Sequence, residues 1–188
     1  MTYIADLNPC TYRSNGLQDL AIGYLEHDQP YTTGQIDPEV FARLRQYTCY
    51  LQPYDTLDEP ETYTPIFPFP VAYRIFISTL GYHICSFCCP DQDISKMEVP
   101  GGESAQDYIL PGNGVVYIFP ENICHYIEAH QYLPPAEFCD AVLNCPSDLE
   151  AFRQALIANG STNVRKFIEH QIAADRSDQH RSSEVTPA

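Results

Sequence analysis

Two short windows constrain this chain more than any other feature. His83-Ile84-Cys85-Ser86-Phe87-Cys88-Cys89 and His125-Tyr126-Ile127-Glu128-Ala129-His130 read together as C-x2-C-x36-H-x4-H, with spare donors at His83 and Cys89. Three of the six histidines and three of the eight cysteines fall in these windows. Two thiolates and two imidazoles are a complete tetrahedral set for Zn2+. A fold that used them would have to close distant parts of the chain around one ion.

The surrounding sequence sets the class of that fold. At 188 residues with 44% apolar content, the chain is long enough to bury one core. Residues 20–25 read as a strand. Asp37-Pro38 starts a helix that carries Val40, Phe41, Leu44 and Tyr47 on one side. Five prolines and four acidic residues mark 52–70 as a covering loop or linker.

Residues 71–80 follow, where Val71, Tyr73, Ile75 and Ile77 alternate as in a strand that runs into His83. Asp91-Gln92-Asp93 turns the chain, and 94–99 reads as a return strand. Residues 108–110 and 115–119 flank Pro111-Gly112-Asn113-Gly114, a hairpin signal.

Helical signals fill the remainder. Pro120-Glu121 opens a helix bearing His125 that stops before Pro134, and Pro134-Pro135 opens another through Leu143. Ser147-Asp148-Leu149-Glu150 is a capping box for a helix ending at Gly160. Ser161 or Thr162 caps a last helix with Val164, Phe167, Ile168 and Ile172 on its apolar side. The order predicts an α+β fold: an antiparallel sheet, a zinc-knuckle-to-helix site, and helices gathered in the C-terminal half. Residues 1–175 read as one domain and 176–188 as a polar, disordered tail.

Charge narrows the function. Ten Lys and Arg against 25 Asp and Glu give a net charge of −15, which repels phosphate backbones and anionic membrane surfaces. The first residues carry neither a basic nor an apolar leader region, and no run is long enough to span a membrane. Cytoplasm is the expected address, so metal or burial rather than disulfides should use the thiols.

Cys85 and Cys88 lie at the end of a strand and before a turn, where a knuckle lets backbone N–H groups reach the sulfurs. His125 and His130 have an ordinary zinc spacing. At about 100° per residue they sit about 140° apart on an ideal helix, so His130 must occupy a frayed or tightened last turn. His83, two residues before Cys85 on the same face of an extended chain, competes for that place. The favoured set is Cys85, Cys88, His125 and His130. Zinc is preferred over iron because mixed sulfur–nitrogen tetrahedra suit it. Cys10, Cys49, Cys124, Cys139 and Cys145 read as core residues, and Cys89 as an alternate ligand or a reactive thiol.

Tyr3 to Leu7, Ala21 to Glu26, Gly81 to Cys88 and His125 to Phe138 carry a resemblance to an uncharacterised bacterial protein family, covering most of residues 1–145. The resemblance implies a Cys/His metal site in a small cytosolic domain. The two half-sites are also locally similar to C2H2 zinc fingers, but the long insert and the acidic charge argue against DNA reading.

Two functions follow. A closed four-ligand zinc site would staple a protein-interaction or binding module whose partner is a protein. Alternatively, Glu128, three residues after His125, would act as general base in a zinc-dependent hydrolase. The spacing H-x2-E-x-H departs from both H-E-x-x-H and H-x-x-E-H. The deaminase pattern, a P-loop and G-x-S-x-G are all missing. The binding module is the favoured reading, without a catalytic assignment.

Overall fold

The computed structural model describes residues 3–10, 19–48, 74–75, 83–90, 103–104, 107–170 and 172–173. Its centre is a hairpin of β5 (Asp107–Pro111) and β6 (Val116–Pro120), every residue of which is buried. The register runs from Asp107 opposite Pro120 to Pro111 opposite Val116. Gly112 donates to the Val115 carbonyl at 2.9 Å. A side chain there is barred, since a Cβ on Gly112 would stand 2.5 Å from Tyr117 Cε2.

β1 (Leu20–Ala21) and β2 (Arg74–Ile75) flank the hairpin, giving the order β1-β6-β5-β2. A second, two-stranded sheet pairs β3 (His83–Ile84) with β4 (Glu103–Ser104). The architecture is α+β, and one pairing departs from the antiparallel expectation: β1 runs parallel to β6. Nearly a hundred residues separate these strands, ample for the long crossover a parallel pair needs. β1 is also shorter than the apolar run 20–25. Gly23 takes φ 73° and turns its N–H to Asp6 Oδ1 at 2.9 Å, and the chain leaves the ladder there.

α1 (Pro38–Thr48) begins as its sequence predicts, with Asp37 Oδ1 accepting the Glu39 N–H at 2.7 Å. Val40 and Leu44 are buried, with Phe41 and Tyr47 packed beside them. α2 (Ile123–His130) starts three residues later than Pro120-Glu121 suggested, because Pro120 closes the β6 ladder instead. α3 (Ala136–Asn144) follows Pro135, and α4 (Leu149–Asn159) follows Asp148. α5 spans 162–170. Its cap is Ser161, whose Oγ accepts the Val164 N–H at 3.4 Å and donates to Asp19 Oδ2 at 3.0 Å.

The capping box before α4 is displaced by one residue. Asp148, not Ser147, is the N-cap and accepts the Ala151 N–H at 2.8 Å. A carboxylate also complements the positive helix start better than a hydroxyl. Asp148→Ala is therefore expected to cost about 1 kcal/mol in urea denaturation, and Ser147→Ala only a few tenths. Equal losses would contradict this register.

The loop 52–70, the strand 71–80 beyond Arg74–Ile75, the turn 91–93, the return strand 94–99 and the tail 176–188 lie outside the described residues. Among those described, no helix is long and apolar enough to cross a membrane. Tyr24, Tyr126, Tyr132, Phe119 and Phe138 are the bulkiest fully buried side chains, so much of the tyrosine content is core.

Candidate metal centre

β3 ends at Ile84 and delivers Cys85 into a tight turn. The Cys89 N–H closes that turn on the Cys85 carbonyl at 2.9 Å. Backbone N–H groups of Cys88 and Phe87 point at the Cys85 sulfur, the geometry of a zinc knuckle. Ser86 Oγ accepts the His27 N–H at 3.0 Å and pins the turn to the segment after β1.

The opposing donors come from α2. His125, in its first turn, is fully buried, and His130 ends the helix half-buried. Cys88 Sγ lies 3.4 Å from His125 Nε2 and 3.3 Å from His130 Nε2. Cys85 Sγ lies 3.3 Å from His130 Nε2. All four donor atoms fall within 4.8 Å of one another. A tetrahedron built on ordinary zinc bond lengths has sulfur–nitrogen edges of about 3.6 Å and a sulfur–sulfur edge of about 3.8 Å. The cluster therefore has the chemistry and spacing to coordinate a divalent metal such as Zn2+.

The helical phase of His130 is corrected by the end of α2. The turn widens rather than tightens: the N–H groups of Gln131 and Tyr132 are both directed at the Tyr126 carbonyl, five and six residues back. Gln131 takes a left-handed φ of 54° to allow it. The wider turn swings His130 toward His125, and their ring centroids stand 5.1 Å apart. Phe87 lies over the His130 ring at 4.8 Å, and Tyr31 donates its hydroxyl to the His130 carbonyl at 3.2 Å. Nothing in the spacing of the sequence marked Tyr31 for this position. Phe87 was visible only as the residue between the two thiols.

Burial acts on the two kinds of donor in opposite ways. Burial pushes the Cys85 thiol up to about 12, against the pull of the Cys88 and Phe87 N–H groups. Burial also lowers the His130 pKa, which favours the neutral ring a metal requires. A divalent ion would reverse the balance at sulfur and hold the thiolate form.

The other candidates fall elsewhere. The side chain of His83 and all of Cys49 lie outside the described residues. Cys10, Cys124 and Cys145 are buried as core thiols, and Cys139 is half-buried. Cys89 is buried beside the turn and does not join the four-donor group. Glu128 is exposed, and its carboxylate stands 3.8 Å from Arg45 Nη1 on α1.

Fold and cluster together define an α+β protein whose Cys2His2-type donor set bridges a strand end and a helix. The chain belongs to the family described as Domain of unknown function (DUF7919), whose model matches residues 2–63 and 66–143. All four donors lie in the second stretch, while α4 and α5 lie beyond it. No curated protein and no solved structure matches the chain.

Proposed function

We propose that Cys85, Cys88, His125 and His130 hold one zinc ion in a closed structural site, and that the protein is a small, acidic, cytosolic binding module for another protein. Residues 1–175 form its single domain in this reading. The bacterial family signature is G-x-H-x-C-x-x-C followed by H-Y-I-x-x-H-x-Y-x-P-P. The observation that carries the proposal is the convergence of four protein donors from two distant segments, all within 4.8 Å of one another. Four protein ligands leave no position for a reacting water, the arrangement of sites that staple a fold.

The hydrolase alternative has weaker support. Its base would be Glu128, whose carboxylate is drawn toward Arg45 on α1. Replacing zinc by cobalt(II) in the full chain separates the two readings. A closed site gives tetrahedral visible bands that added azide leaves unchanged. Bands that shift or weaken with azide indicate an open coordination position and favour catalysis.

A further inference from the structure

We infer that a cavity between Tyr3, Asp6 and Tyr31 is a second binding site, one that accepts the guanidinium or ammonium head of an Arg or Lys side chain on a partner polypeptide. The cavity measures about 330 Å3, room for one long side chain, and its apolar lining includes Ile4 and Leu25. It contains none of the four Cys/His donors, although Tyr31 in its wall also reaches the His130 carbonyl.

Asp6 gives the site its sign. One carboxylate oxygen, Oδ1, accepts both the Gly23 N–H and the Tyr132 hydroxyl, each at 2.9 Å. These bonds hold the group in place in the cavity lining, and among the described residues no hydrogen bond engages Oδ2. Among the described residues, no Lys or Arg lines the cavity. Burial raises the Asp6 pKa, with the Gly23 and Tyr132 donors pulling it back down. A cation in the cavity would supply the missing counter-charge and a charge-assisted hydrogen bond.

The walls suit the same ligand. Tyr3 donates its hydroxyl to the Pro30 carbonyl at 3.3 Å, and Tyr31 donates to the His130 carbonyl. Both hydroxyl protons are spent on backbone, so the tyrosines offer the cavity ring surface and oxygen lone pairs. Those groups favour a donor-rich cation over an anion. The methylene stem of Lys or Arg would lie along Ile4 and Leu25. The net charge of −15 draws basic partners to the chain as a whole.

The test is an NMR titration of the full-length, zinc-supplemented protein with three probes. They are the blocked tripeptide acetyl-Ala-Arg-Ala-amide, its Gln analogue, and n-butylguanidinium. The Arg peptide is expected to shift resonances of Tyr3, Asp6 and Tyr31 and to bind more tightly than n-butylguanidinium. The Gln peptide should leave these resonances in place.

Asp6→Asn keeps an oxygen for Gly23 and Tyr132 and is expected to weaken the Arg peptide roughly tenfold or more. Ala5→Leu fills the cavity, leaves Asp6 and its bonds intact, and should also block binding. Unchanged affinity in both variants, or shifts confined to other surfaces, would overturn the site. Equal affinity for n-butylguanidinium and the Arg peptide would overturn the polypeptide partner in favour of a free organic cation.

Discussion

Removing zinc from the loaded protein with a chelator is expected to lower its melting temperature by about 10 °C. An ion held at a thousand times its dissociation constant stabilises the folded state by roughly 4 kcal/mol. In a domain of this size each kcal/mol is worth about 2–4 °C. Cys88→Ser should reproduce the loss, whereas Cys139→Ser should leave metal content unchanged.

The pH dependence has a definite sign. The Cys85 thiol, raised to about 12, is protonated in the metal-free protein at neutral pH and must lose that proton to bind. Each unit of falling pH should therefore weaken zinc binding about tenfold from this thiol alone. A melting temperature indifferent to chelator would mean that the cluster is not a staple.

Phe138→Ala is expected to cost about 3–5 kcal/mol in urea denaturation, comparable to losing the metal but by a different route. Phe138 is fully buried on α3, with ring centroids 5.5 Å from Tyr117 and 5.3 Å from Phe119, both on β6. Truncation would remove both edge-on contacts and leave a void between helix and hairpin. Zinc content per folded chain should not change, because Cys85, Cys88, His125 and His130 lie on other elements. Loss of zinc from the folded variant would show that core and cluster are not separable.

Local chemistry made much of the fold legible. Asp37-Pro38 placed the start of α1 and the glycines after Pro111 placed the hairpin, while Pro134 only bounded α2, which ends earlier, at His130. Each signal acts through its own backbone geometry and needs no distant partner. The donors of the cluster were legible for a related reason, since thiols and imidazoles at metal spacing carry their chemistry with them.

What escaped the sequence depends on contacts between distant segments. Gly23 ends β1 because Asp6 captures its N–H, and neither residue announces the other. The parallel pairing of β1 with β6 rests on a long crossover that periodicity does not record. The direction in which the last turn of α2 deforms was also hidden. A Gln in the left-handed region is uncommon, and here the closure on Tyr126 accompanies it. Ser147 and Asp148 are both good caps, so only the register of α4 decides between them.

X-ray absorption at the zinc edge, on purified full-length chain whose metal content has been measured, tests the central claim most directly. The account predicts one zinc per chain, with two sulfurs at about 2.3 Å and two nitrogens at about 2.0–2.1 Å. Protein that holds no stoichiometric metal after zinc supplementation, or a shell lacking either the sulfurs or the imidazoles, would contradict it.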